Sequence, residues 1–198
     1  FGVNIPGTFS VYNALGAIGA CGLLNVSPDS VKVGLERVSV PGRAEIVETG
    51  RNFTVVIDYA HTPDSLENIL TTMKDYAPGR LVCLFGCGGD RDRAKRPVMG
   101  EISGRIADFT IITSDNPRTE EPEAIVREIE EGIRKTGAEY AAVVDRREAI
   151  KYALQNARRD DIIILAGKGH ETYQTFKDKT VRFDEREVVR ELLEELKI

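Results

Sequence analysis

No stretch of this 198-residue chain approaches the ~20 consecutive apolar residues that a membrane-spanning helix requires. The N-terminus also lacks a basic segment followed by a short apolar run and a cleavage site, so no secretory leader is expected. A surplus of positive charge is missing as well. With a net charge of -5 and a pI near 5.3, no surface for nucleic acid or an anionic membrane is expected, although a local basic pocket stays open. Cysteine and histidine are scarce. Cys21, Cys83 and Cys87 are too few and too irregularly spaced for a disulfide framework, and two histidines supply no second ligand pair, so free thiols and no metal site are expected. The resulting expectation is a cytoplasmic protein.

What is present suffices for one core, or for one domain carrying a piece of another: 41% of the residues are hydrophobic. Residues 1–40 differ from the rest. Gly2, Gly7, Gly16, Gly19, Gly22 and Gly34 interrupt an apolar stretch that has no opening strand, which reads as the tail of a domain. Within it, Tyr12 to Leu24 is small and apolar enough for a close-packed helix. Ser27-Pro28 opens a second short helix, and Pro41-Gly42 breaks the chain. The boundary falls near Val40, leaving 41–198 as the main unit.

From there strands and helices alternate. Strand-length apolar runs occur at Thr54–Ile57, Leu81–Phe85, Phe109–Thr113, Ala141–Val144 and Ile162–Ala166. Between them Leu66, Ile69, Leu70 and Met73, then Ile125, Ile129 and Ile133, then Ile150, Ala153 and Leu154 recur at helical spacing. Asp184 and Glu187 give the last helix a capping-box signal, and Thr172–Phe183 reads as a polar hairpin. Continuous apolar strands separated by amphipathic helices predict an α/β fold. Its core is a doubly wound, mostly parallel, Rossmann-like sheet with helices on both faces.

In such a sheet the ligand crevice lies outside the carboxyl ends of the strands, and the residues there are polar and specific. They are Asp58-Tyr59-Ala60-His61-Thr62-Pro63, Gly86-Cys87-Gly88-Gly89-Asp90-Arg91-Asp92, Ser114-Asp115-Asn116-Pro117-Arg118 and Gly167-Lys168-Gly169-His170-Glu171. Four charged strand ends out of five argue for one shared pocket. The glycine turn after Phe85 either brings backbone N–H groups and the Arg91 fork to an anion or is a tight turn with solvated charges. Asp115 and Arg118 bracket a stiff proline and suit a zwitterionic amino acid, but taken alone the motif reads first as a helix-entry turn before Pro122 with Asp115 as its cap. Neither a dinucleotide fingerprint nor a Walker loop is present, so the chain does not grip a triphosphate by those devices.

Together these four motifs, in this order from Val40 to Phe183, resemble the Mur ligase family, and within it the branch that adds the third residue of the peptidoglycan stem peptide. The resemblance implies the amino-acid-binding C-terminal domain at 41–198, preceded at 1–40 by the helical tail of a central ATPase domain. ATP and Mg2+ are the implied cofactors, with the phosphate loop and magnesium ligands in domains outside this sequence. It implies that Asn13 contacts adenine, that Arg43 reaches the ATP phosphates as the catalytic cation, and that Asp58 binds ribose with His61 nearby. Ser10 stands where the family pattern has asparagine. The implied amino-acid pocket is Arg91, Asp115, Asn116, Pro117, Arg118, Gly167 and Glu171. Arginine in the Asp115-Asn116-Pro117-Arg118 motif implies meso-diaminopimelate as the amino acid, with UDP-N-acetylmuramoyl-dipeptide bound by the other domains. A lysine-adding or folate-polyglutamate relative, or a non-catalytic metabolite-binding module of the same fold, are the competing expectations.

Overall fold

The computed structural model describes residues 2 and 7–197 of the chain. Helix α1 (Thr8–Leu23) and helix α2 (Pro28–Arg37) come first. Ser27 caps α2 by accepting the Ser30 N–H at 3.2 Å, with Pro28 in the first turn, as the sequence suggests. Helix α1 forms but is not close-packed. Among its described side chains only Ser10 and Ala14 are buried, while Tyr12, Leu15 and Leu23 face outward. Its apolar residues run all round the helix instead of along one stripe, so a single neighbour covers only a fraction of them.

Six strands build the main sheet: β1 (Glu45–Val47), β2 (Thr54–Asp58), β3 (Leu81–Phe85), β4 (Phe109–Ile112), β5 (Tyr140–Ala142) and β6 (Ile162–Ala166). Their order is β1-β2-β6-β3-β4-β5, parallel throughout except for β1, which pairs antiparallel with β2 at the edge. Edge strand β1 is absent from the sequence reading because three residues, with Ile46 exposed, are too short to show alternation.

Alternate residues of the central strands serve opposite faces. Cys83, Phe85 and Ile164 pack beneath α3 (Pro63–Tyr76), α4 (Lys95–Ile106) and α5 (Pro122–Ile133). Val82, Leu84, Ile163 and Leu165 pack beneath α6 (Arg146–Gln155) and α7 (Glu185–Leu196). Each fully buried Leu or Ile contributes roughly 1.5–3 kcal/mol, which is why β3 and β6 read as unbroken apolar runs. Helix α4 escapes that reading because Pro97, Gly100 and Gly104 break its apolar stripe. The glycines are there for contact: a Cβ on Gly132 of α5 would sit 1.8 Å from the Pro97 carbonyl oxygen, and one on Gly100 would sit 2.2 Å from that of Ile129.

Two caps show how local chemistry sets element ends. Thr62 and Ser65 exchange hydrogen bonds at the start of α3. At α7 only half of the anticipated box forms: Asp184 accepts from the Arg186 N–H, but Glu187 turns away to Arg182. The hairpin of β7 (Tyr173–Thr175) and β8 (Thr180–Arg182) is a separate two-stranded sheet.

The chain leaves β3 outward to β4 and β5 with helices on one face, then returns to β6 with α6 on the other. Neighbouring strands β6 and β3 therefore send their following loops to opposite faces, which opens a crevice between them. Register aligns the strand ends there, since Ala166 lies opposite both Asp58 and Phe85, and Phe85 opposite Ile112. The other end of the sheet is closed: Arg80 meets the buried Asp161 carboxylate at 2.6 Å, tying the starts of β3 and β6.

Candidate functional site

A cavity of ≈ 700 Å³ lies over these aligned strand ends. His61 reaches it from the β2 loop, Arg91 from the β3 loop, Asp115, Asn116 and Arg118 from the β4 loop, and Gly167 and Glu171 from the β6 loop. Seven predicted residues are thus brought together. Pro117 is adjacent, lining a second hollow beside the hairpin turn. Asn13, Arg43 and Asp58 do not line the cavity: Asn13 is exposed on α1, and Arg43 stacks over the Tyr59 ring at 5.0 Å. Asp58 is 6% exposed, and its two oxygens accept the Ala44 and Ala60 N–H groups at 2.8 Å each. Burial pushes its carboxyl upward against the pull of those two donors.

The β3 and β4 loops interlock. The Gly89 N–H donates to the Asn116 carbonyl at 2.9 Å, and any Cβ on Gly89 would lie 1.8 Å from the Pro117 oxygen, so no larger residue fits. Asp90 accepts from the Thr119 hydroxyl at 2.6 Å, and its own N–H donates to Glu120 at 2.6 Å. Beneath them the fully buried Arg96 donates to Glu120, Glu128 and the Gly88 carbonyl. That guanidinium is the main reason the Glu120 carboxyl falls from its ordinary 4.5 to about 2. Below the β4 and β6 loops, buried Arg146 donates to the Ser114 and Ala166 carbonyls at 3.2 and 2.9 Å and to Glu185 at 2.9 Å. Burial raises the Glu185 carboxyl, with Arg146 opposing it.

The side chains that face the cavity fall into two groups of opposite charge. Arg118 spends one nitrogen on the Gly89 carbonyl at 2.8 Å and the Asn116 carbonyl, and its other guanidinium nitrogens meet no partner among the described residues. Among the described residues, Arg91 is anchored only through Nη1 to the Asp90 carbonyl. In the same cavity, Glu171 Oε2 accepts from the Asn116 amide at 2.8 Å and from the Lys168 ammonium at 3.2 Å, leaving Oε1 for a ligand. Asp115 Oδ1 accepts the Asn116 N–H, and Oδ2 lies over Gly167. Two guanidinium forks and two carboxylates lining one cavity suit a molecule with both carboxylate and ammonium ends.

His61 keeps its Nδ1 proton on the Tyr59 carbonyl at 2.7 Å, and both histidine rings meet Tyr59, at 4.6 and 4.9 Å. Lys168, fully buried, is a residue the sequence reading passed over. Its only signal is a lysine between two glycines, named there within the motif after Ala166 but given no role. Lys95, bonded to the His61 carbonyl at 2.8 Å, was equally silent. Among the described residues, no three His, Cys, Asp or Glu side chains gather as a metal site.

Residues 42–169 match the family model of the Mur ligase, glutamate ligase domain. The chain belongs to the Mur ligase family. It is 58% identical over 193 residues to the UDP-N-acetylmuramoyl-L-alanyl-D-glutamate--2,6-diaminopimelate ligase of Caldanaerobacter subterraneus subsp. tengcongensis, covering 98% of this chain and 40% of that one. To the enzyme of that name from Clostridium tetani it is 54% identical over 197 residues, again 98% of this chain and 40% of the relative. A solved UDP-N-acetylmuramoyl-L-alanyl-D-glutamate--2,6-diaminopimelate ligase superposes with a TM-score of 0.77 at 37% identity, covering 100% of this chain and 40% of the other. The UDP-N-acetylmuramate-alanine ligase of Thermotoga maritima shares the fold at a TM-score of 0.71 and 22% identity, covering 98% and 39%. This Mur ligase chain therefore spans about 40% of the length of the relatives it matches.

Proposed function

We propose that this chain is the amino-acid-accepting end of an ATP-dependent ligase that joins meso-diaminopimelate to UDP-N-acetylmuramoyl-L-alanyl-D-glutamate during peptidoglycan synthesis. The observation that carries the reading is that Arg91 and Arg118, with unused guanidinium nitrogens, line one cavity together with the Asp115 and Glu171 carboxylates. Diaminopimelate has a carboxylate at its far end where lysine has only an ammonium. The two guanidiniums accept that carboxylate, and the free Glu171 oxygen with Asp115 takes the distal ammonium, leaving the other amine to attack. With lysine, Arg118 would lose its partner and face a cation. A lost charge-assisted hydrogen bond costs about 1.5–3 kcal/mol, or roughly 10- to 150-fold in affinity.

ATP, with Mg2+, supplies activation of the acceptor carboxylate as an acyl phosphate. This chain's share is positioning. Holding the amine beside the activated carbonyl can contribute roughly 7–11 kcal/mol of the barrier. Arg43, exposed over Tyr59 at the turn before β1, suits an ATP phosphate, and Asn13 and His61 suit the rest of the nucleotide. Asp58, with each oxygen accepting one backbone N–H, supports the Arg43 turn, and each oxygen keeps a second lone pair that suits a ribose hydroxyl. In this reading residues 1–40 are the tail of a central ATP-binding domain, and the phosphate loop, magnesium ligands and UDP-sugar site lie in domains outside this sequence. The setting of such an enzyme is the cytoplasm.

The test is phosphate release by the full-length ligase with ATP, the UDP-sugar dipeptide and either amino acid. Turnover with diaminopimelate at least tenfold more efficient than with lysine is expected, and none from the isolated chain. Equal use of the two amino acids, or turnover by the isolated chain, would sink the proposal.

A further inference from the structure

Arg118 has a backbone φ of 53°, a left-handed conformation that residues with a side chain avoid. A specificity residue held this way needs its turn fixed from several sides. The β3 loop supplies one side. The other comes from the β7–β8 hairpin, which stands apart from the main sheet and is polar and largely exposed except for Gln174, only 4% exposed.

Gln174 spends both amide N–H bonds on the specificity turn, donating to the Ser114 hydroxyl at 3.0 Å and to the Asp115 carbonyl at 2.7 Å. That carbonyl accepts only from a donor, so the nitrogen, and not the oxygen, of the amide faces it. Its neighbour Thr175 completes the clamp. The Thr175 N–H donates to the Asn116 side-chain oxygen at 3.0 Å, and the Thr175 carbonyl accepts the Arg118 N–H at 3.0 Å. Arg118 then forms a parallel bridge with Phe176. Each contact falls on residues 114–118, and Gln174 does not line the cavity.

We propose that Gln174 is a positioning residue for amino-acid recognition, the buried pin through which the β7–β8 hairpin holds the Ser114–Arg118 turn and aims the Arg118 guanidinium at the ligand's distal carboxylate. The inference rests on the function proposed above and adds to it a specificity determinant about 60 residues away in sequence from the turn it controls.

Steady-state kinetics of the full-length ligase carrying Gln174→Leu, Arg118→Ala or both test it. Gln174→Leu keeps the side-chain bulk and removes both donors. It should raise KM for diaminopimelate about tenfold, equivalent to about 1.4 kcal/mol, with the preference over lysine falling by the same factor and KM for ATP unchanged. In the Arg118→Ala background the same change should add less than about twofold, because a residue acting through Arg118 is non-additive with its loss. An unchanged KM, an equal rise in the KM for ATP, or a full additional tenfold loss in the Arg118→Ala background would overturn the proposal. Should Gln174→Leu fail to fold, Gln174→Glu replaces it. Its carboxylate repels the Asp115 carbonyl, and its protonated form donates to it, so its diaminopimelate KM should improve as pH falls while the wild-type value does not. Parallel pH profiles would contradict the assignment. If the wild-type enzyme does not use diaminopimelate, the proposed function itself fails; if it does and the variants behave as wild type, only Gln174's role fails.

Discussion

Leu23 at the end of α1 is 87% exposed, whereas every residue of β3 and β6 is buried. Both regions are rich in apolar residues, and they differ in what surrounds them. The sheet brings its own cover, three helices on one face and two on the other. The first two helices touch chiefly each other, and α2 buries no side chain. A helix that is apolar all round is covered only in part by a single neighbour, and the outward residues of α1 are the ones the fold leaves exposed. The site divides along the same line. Seven predicted residues stand on loops at the strand ends, and Arg43 on a turn tied to the sheet through the Ala44–Asp58 bond, while Asn13 stands exposed on α1.

That contrast can be broken at four places. Arg118→Glu puts a third carboxylate beside Asp115 and Glu171, and like charges in contact cost several kcal/mol, so diaminopimelate affinity should fall by about 100-fold or more. Folding should be intact by circular dichroism; loss of binding together with loss of fold would mean the turn is structural first. Gly89→Ala drives a methyl into the Pro117 carbonyl at a nominal 1.8 Å and should cost about 1–3 kcal/mol in urea unfolding, with weaker ligand binding alongside. A neutral result would show that the two loops are not locked together.

Acid sharpens the contrast further. A carboxylate whose pKa is depressed on folding stabilises the protein fully above its unfolded value and ceases to as pH falls through its folded value. Glu120 has the values 4.5 and about 2, so the stability advantage of wild type over Glu120→Gln should be constant above about pH 5 and vanish toward pH 2. An advantage that persists unchanged at pH 2 would rule out the Arg96 pairing as its source. The smallest effect belongs to α1. Leu23→Gln should shift the unfolding of the sheet domain by no more than about 0.5 kcal/mol. A loss several times larger would mean α1 is bound to the sheet more firmly than its exposure indicates.

The parallel strands were legible because each is a short run buried on both faces, and the cavity because polar motifs follow those runs directly. Helix α4 was not, since Gly100 and the other stripe-breaking residues serve a close helix contact that periodicity does not register. The cavity residues on the strand-end motifs were readable, whereas Lys95 on α4 and the residues that hold the motifs were not. Gln174 meets Ser114, Arg146 meets Glu185, and Arg96 meets Glu120, partners 24 to 60 residues apart that only the fold brings together. Asp58 shows the converse: a motif residue marked for the nucleotide also accepts a backbone N–H on each oxygen, a role invisible until the turn at Ala44 is in place.

The central claim is that the cavity reads a carboxylate at the far end of an amino acid. Calorimetric titration of the full-length ligase with meso-diaminopimelate, beside L-lysine under the same conditions, tests it most directly. Saturable binding of diaminopimelate, at least tenfold tighter than that of lysine, is the predicted result. Lysine binding as tightly or more tightly would contradict it.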